Sequence, residues 1–302
     1  MTSAPSSVTI VEVGPRDGLQ NEKALVPTDA KRRFVLDLAA AGCSQIEAGS
    51  FVAPKWTPQM ADSEEVLRSC RGATSASLSA LTPNAEGLRR ALACGVETIA
   101  IFPATTETFS RKNLNASAAD AFDRFAALAG GAREAGVRVR GYISCAIHCP
   151  YEGWVAPARV AELASRLIDL GCYEVSLCDT TGAGTPRHAA DLLAAVIPAI
   201  GVDRIAAHFH DTYGQGLANA LTALQAGVSV FDSSAGGLGG CPYSPGATGN
   251  LATEDLVYML NGLGVDCGID IDGLVEAVRK VAVHLSRPIT SALYRSKTSA
   301  RS

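Results

Sequence analysis

The sequence predicts a (β/α)8 TIM barrel with a short C-terminal helical extension, and three observations carry that prediction. The β-branched run Val8-Thr-Ile-Val-Glu-Val13 has the length of a buried strand and stops at Gly14-Pro15. After it, a helical stretch rich in Ala and Leu, a Gly and a short β-branched run recur seven times. The spacing, roughly 25–40 residues, matches one strand, one helix and their loops, and no block of strands alone or helices alone interrupts the alternation. A doubly wound open sheet is the runner-up, but no G-x-G-x-x-G opens a helix after the first strand, and there is no Walker A sequence.

The junctions fall at Gly42, Gly72, Gly95, Gly136, Gly171, Gly201 and Gly227. Each sits where a helix ends and the backbone must turn through the left-handed region, which only glycine enters without steric cost. With the opening strand they make eight βα units, placed at residues 8–285 together with a further helix from Ile271 to Leu285. Residues 1–7 are expected to be disordered and 286–302 to form a tail with a frayed end from Ser296.

Of 302 residues, 47% are apolar and 19% charged, the balance of a globular chain. The net charge of −4 without a Lys/Arg cluster argues against nucleic acid as a partner. Nine scattered cysteines fit a reducing compartment, and no apolar run reaches the length of a membrane span. With neither a signal-peptide nor a transit-peptide pattern at Met1–Ser7, the expectation is a cytoplasmic protein with no membrane partner.

In such a barrel, chemistry gathers at the C-terminal ends of the strands. There the first strand delivers Gly14-Pro-Arg-Asp-Gly-Leu-Gln-Asn-Glu-Lys23, the second Glu47, the sixth Cys178-Asp179-Thr180, the seventh His208, His210 and Asp211, and the eighth Asp232. Along a strand His208 and His210 share a face while Phe209 takes the other, so the two imidazoles can chelate one divalent cation. An isolated His-x-His is more often ordinary packing. In a closed barrel, however, strands eight and one are neighbours, which brings Asp17 towards the histidines and makes Asp17, His208, His210 and Asn250 a candidate mixed N/O metal site. Arg16, always protonated, would lie beside it to meet an enolate or a carboxylate; its ordinary alternative is a surface ion pair. Cys241 lies in the Gly-rich loop 236–250, whose composition suits a mobile lid, where a thiol either reaches the substrate or stays inert.

Five stretches together resemble a known family. Val13-Gly-Pro-Arg-Asp-Gly-Leu-Gln-Asn-Glu-Lys23, Ser50-Phe-Val-Ala-Pro-Lys-Trp56, Cys149-Pro-Tyr-Glu-Gly153, His208-Phe-His-Asp-Thr-Tyr-Gly-Gln215 and Gly237-Leu-Gly-Gly-Cys-Pro-Tyr243 through Asn250-Leu-Ala-Thr-Glu-Asp255 are similar to hydroxymethylglutaryl-CoA lyases. These are metal-dependent, aldolase-like barrels, and the resemblance runs from about Val8 to Leu263. It implies cleavage of 3-hydroxy-3-methylglutaryl-CoA, an acyl-CoA substrate, and Mg²⁺ or Mn²⁺ held by Asp17, His208, His210 and Asn250. It implies enolate stabilisation by Arg16, proton transfer by Cys241, and support from Gln20, Lys23, Glu47 and Asp179. Two imidazoles alone would have pointed to Zn²⁺ or Fe²⁺; the oxygen ligands suit the harder cations. The proton acceptor is expected to be His208 or Asp17.

Two positions depart from the family pattern: Pro103 and His148 stand where glycine is usual, at strand ends expected to face the pocket, so the alternative substrate is a citramalyl-type or longer branched acyl-CoA. A condensing acyltransferase of the same superfamily and a non-catalytic metal-binding barrel are the competing readings. A homodimer or larger homo-oligomer is expected.

Overall fold

The computed structural model describes residues 4–240 and 249–299. Eight parallel strands close into a barrel: β1 (Thr9–Glu12), β2 (Gln45–Ser50), β3 (Ser77–Leu81), β4 (Thr98–Ile101), β5 (Arg138–Ile143), β8 (Glu174–Asp179), β9 (Ile205–Phe209) and β10 (Val230–Ser233). Two more strands, β6 (His148–Cys149) and β7 (Gly153–Trp154), form an antiparallel hairpin in the loop after β5. Around the barrel run α1 (Thr28–Ala40), α2 (Ser63–Cys70), α3 (Ala85–Cys94), α4 (Glu107–Leu114), α5 (Ala118–Glu134), α6 (Pro157–Asp169), α7 (Pro186–Ile200), α8 (Gly216–Gln225), α9 (Thr253–Gly262), α10 (Ile271–Ala282) and α11 (Ala292–Ser299). The predicted barrel is thus the observed one. β1 pairs with β10 from Thr9↔Val230 to Glu12↔Ser233, which closes the ring and sets the first loop beside the eighth.

The local chemistry explains the elements. The seven junction glycines all have positive φ, from +70° at Gly95 to +102° at Gly42. At Gly42 the restriction is doubled, because a Cβ there would collide with the Gly268 carbonyl. Asn84 caps α3 by accepting from the Gly87 N–H at 2.9 Å, and Ser117 caps α5 by accepting from the Asp120 N–H at 3.0 Å. The largest fully buried side chains, among them Phe34, Phe125, Phe231, Leu38 and Leu67, lie between helices and barrel. Among the described residues, no helix is long and apolar enough to cross a membrane.

Two expectations at the termini are corrected. Ser6 and Ser7 are not disordered: Ser7 bridges to Asp266, whose N–H donates to the Ser6 carbonyl at 3.0 Å, while the Val8 N–H donates to the Asp266 carbonyl at 2.8 Å. The tail is not simply frayed either, since Ala292–Ser299 is helical. Its start is fixed by Asp255, whose carboxylate accepts from the Ala292 N–H at 2.9 Å, the Leu293 N–H at 2.8 Å and the Ser291 hydroxyl at 3.0 Å. The segment before it reaches the barrel rim. Arg287 donates to Glu22 at 2.8 Å and to the Gly239 carbonyl at 3.1 Å, and Thr290 donates to the Gly237 carbonyl at 3.1 Å.

Two buried acids hold the loops together from below. Glu12 accepts from the Gly14 N–H at 2.7 Å, the Ala235 N–H at 3.0 Å and the Thr253 hydroxyl at 2.7 Å. Glu254 accepts from the Gly236 N–H at 2.9 Å. Burial pushes Glu12 up to about 7 and Glu254 up to about 8. A carboxyl whose folded pKa exceeds its unfolded value binds its proton more tightly in the fold; it stabilises at low pH, and that stability is lost as pH climbs from the ordinary carboxylate range through the raised pKa. The thermal midpoint is therefore expected to fall between about pH 5 and about pH 8. Glu254→Gln should flatten that slope in pH-dependent calorimetry, and an unaltered slope would contradict the assignment.

Candidate metal centre and active site

The loop after β1 opens with a five-residue π-turn, Gly14–Gly18. It is pressed so closely onto the loop after β10 that a Cβ on Gly18 would lie 2.6 Å from the Ser234 hydroxyl oxygen. This turn aims Arg16 and Asp17 over the barrel mouth. His208, the fourth residue of β9, and His210, just beyond it, approach from the side, and Asn250 follows because its backbone bridges to His210. One ligand atom from each of Asp17, His208 and His210 lies within 4.8 Å of the others. The predicted convergence of loop one and strand seven is therefore present.

The donor set fits a cation. Asn250 donates from Nδ2 to Asp17 Oδ2 at 2.9 Å and to the Leu238 carbonyl at 3.0 Å, which leaves its Oδ1 buried and without a partner. His210 Nδ1 is likewise buried and unpartnered. Burial, followed by the nearby charge of His208, pulls His210 down to about 4, so it is a neutral imidazole. Burial alone would raise Asp17, but Arg16 and the two histidines outweigh it and hold the carboxylate near 2. Such a set, a fixed anion, neutral nitrogen and an amide oxygen with no protein partner, is what a divalent ion satisfies.

Arg16 is buried, and its Nε donates to Glu47 Oε2 at 2.7 Å while Nη1 donates to Asp17 Oδ1 at 2.6 Å. Burial works against its charge, but Glu47 and Asp17 raise its pKa further. The surface ion pair is excluded, and the guanidinium is a fixed cation beside the candidate ligand Asp17.

Behind His208 lies a buried network of which sequence reasoning named only Asp232, not its partners Arg140, Ser176 and Glu174. His208 and Asp232 are cross-strand partners, with Nδ1 3.2 Å from Asp232 Oδ2. The same carboxylate accepts from Arg140 at 2.7 and 3.1 Å and from the Ser176 hydroxyl at 2.7 Å, and Arg140 also donates to Glu174 at 2.6 Å. Burial pulls His208 down, yet the hydrogen bond and charge of Asp232 leave its pKa raised. The signal was available: Arg140 alternates with Val139 in a strand, and an inward-facing guanidinium needs buried carboxylates. Since the outer partner fixes tautomer and ring direction, Asp232→Asn is expected to weaken metal affinity by about 10–100-fold. Titration with Mn²⁺ followed by electron paramagnetic resonance checks this, and wild-type affinity would refute it.

The remaining predicted residues are spread more widely. Glu47 is fully buried against Arg16 and the Tyr142 hydroxyl, 3.3 Å away, with Oε1 unpartnered. Asp179 ends β8; its Oδ2 accepts from the Gly184 N–H at 2.9 Å, its Oδ1 is unpartnered, and burial pushes it up to about 6. Gln20 keeps a buried, unpartnered Oε1, whereas Lys23 is exposed. Cys241 and most of the expected lid lie outside the described residues. Pro103 is buried, and its carbonyl accepts from the Ser144 N–H at 3.0 Å, joining the loops after β4 and β5. The His148 ring lies 3.4 Å from the Thr181 hydroxyl and edge-on to Trp154, so its influence on the mouth runs through the loop after β8.

Comparisons with known proteins bear on the family. The HMGL-like family model matches residues 7–281. A mitochondrial hydroxymethylglutaryl-CoA lyase of Mus musculus is 53% identical over 291 residues, 96% of this chain and 90% of the relative. A cytoplasmic 3-hydroxy-3-methylglutaryl-CoA lyase of the same organism is 48% identical, covering 98% of this chain and 87% of its own. The crystal structure of hydroxymethylglutaryl-CoA lyase from Pseudomonas aeruginosa superposes with a TM-score of 0.95 at 48% identity, covering 98% of this chain and 99% of its own.

Proposed function

The chain belongs to the HMGL-like family, and we propose that it is a carbon–carbon lyase cleaving 3-hydroxy-3-methylglutaryl-CoA to acetyl-CoA and acetoacetate. The observation that carries this reading is Arg16, a buried cation bonded to Asp17, beside a three-residue ligand cluster within 4.8 Å. Cleavage removes the proton of the C3 hydroxyl, breaks C2–C3, turns the C3 oxygen into a ketone and leaves the electron pair as an enolate on the thioester side.

Asp17, His208, His210 and Asn250 would hold Mg²⁺ or Mn²⁺, which when bound supplies the Lewis acidity that lowers the hydroxyl pKa and orients the bond to be broken. Arg16 lies where negative charge grows only as the bond breaks, so its stabilisation falls on the transition state. Either His208 or Asp17 accepts the hydroxyl proton. Cys241 returns a proton to the acetyl carbanion. In this reading Gln20, Glu47 and Asp179, each with a buried, unpartnered oxygen, and the exposed Lys23 would support the centre.

We also expect a cytoplasmic location and self-association into a homodimer or larger homo-oligomer. Tyr258 and Leu263 on and beside α9 are exposed apolar side chains available for the latter.

A mass-spectrometric panel of 3-hydroxyacyl-CoA thioesters, incubated with Mg²⁺ or Mn²⁺ and reductant, tests the activity. Acetoacetate from the C3-methyl substrate is the expected result. Cleavage only of citramalyl-type or longer branched thioesters would move the substrate assignment, and free thiol from acetyl-CoA plus a 2-oxo acid would favour condensation.

A further inference from the structure

Across the mouth from the first loop, an aromatic cluster stands outside the chemistry described above. β6 and β7 pair His148 with Trp154, which puts both side chains on one face of the hairpin. Their ring centroids are 5.0 Å apart in an edge-to-face arrangement at 72°. Trp154 is in turn stacked on His188, at 4.2 Å and 18°. His188 belongs to the first turn of α7, where its Nδ1 accepts from the Thr185 N–H at 3.2 Å. Trp154 is 59% exposed. A tryptophan so placed contributes little core, yet here it joins the hairpin to the start of α7.

Between those two elements runs the loop 180–185, the segment that holds Asp179. Its inner end is zipped to the β5 loop: the Ala146 N–H donates to the Cys178 carbonyl and the Cys145 N–H to the Thr180 hydroxyl, both at 2.8 Å. Its middle is trapped, since a Cβ on Gly184 would meet Asp179 Oδ2 and Ile147 Cδ1 at 2.7 Å each. The Gly184 N–H donates to Asp179 Oδ2, and Asp179 Oδ1 is left buried and free of protein partners.

We infer that His148, Trp154 and His188 are positioning residues: a latch that presses the 180–185 loop onto Asp179 and so fixes the direction of its free oxygen in the mouth. The catalytic part of this inference rests on the lyase reading above. The mechanical part does not.

Steady-state kinetics on the full chain with Mn²⁺ test the first part. Trp154→Ala should lower kcat by about tenfold, the scale of an outer supporting residue, and Trp154→Phe, which keeps a ring on His188, should restore most of it. His188→Ala should do the same, and the double variant should be no worse than either single one. In an Asp179→Asn background, Trp154→Ala should cost nothing further. Hydrogen exchange of the 180–185 peptide tests the second part without turnover: faster exchange in Trp154→Ala and wild-type exchange in Trp154→Phe are expected. Unchanged exchange in Trp154→Ala, or an equal loss of kcat with and without Asp179, overturns the inference. Failure of the wild type to cleave any acyl thioester would overturn the lyase reading, while the exchange result still decides the latch.

Discussion

Arg16→Gln is expected to lower kcat by about 10³-fold while KM changes by only a few-fold. In the proposed reaction the guanidinium meets charge that appears after binding, and removing a preorganised donor to such charge costs about 10²–10³ in rate. This arginine also neutralises two carboxylates, Glu47 and Asp17, so the upper end applies. The same substitution leaves Glu47 buried without its cation, a loss on the order of 3–5 kcal/mol for a broken internal ion pair. Pairing it with Glu47→Gln separates the two effects: the double variant should regain thermal stability without regaining rate. A kcat within tenfold of wild type in Arg16→Gln would remove the enolate role.

The second large effect concerns the ligands themselves. His210→Ala removes a neutral imidazole whose Nδ1 has no protein partner. It should weaken Mn²⁺ binding by at least about 100-fold, the upper end of what the loss of a mere outer partner costs. Chelation of wild type should abolish turnover, and Mg²⁺ or Mn²⁺ should restore it. Calorimetric titration that finds equal affinity in His210→Ala would dissolve the proposed centre, whatever the activity.

Much of this was legible in the amino-acid order, and for physical reasons. The barrel could be read because seven of its eight strands are announced by a glycine that must take positive φ, and the candidate metal corner because strand periodicity fixes which side His208 and His210 share. Closure of the ring then put Asp17 beside them. What escaped reading depends on contacts between segments remote in sequence. Asp232 and Arg140 are 92 residues apart, and although strand alternation marks Arg140 as inward-facing, nothing local says which carboxylate it meets. Lys23 shows the converse limit: its neighbourhood in the chain suggests the site, but its side chain stands in solvent. The tail escaped because helix α11 has no strong periodicity of its own and is held by Asp255 from another helix.

That attachment has a practical corollary. Because Arg287 and Thr290 grip the carbonyls of Gly239 and Gly237, the last stretch of the chain is part of the foundation on which the rim of the mouth stands. Shortening the protein to the nominal end of its barrel, or anchoring it to a surface by that terminus, would be felt at the catalytic end rather than at a dispensable appendage.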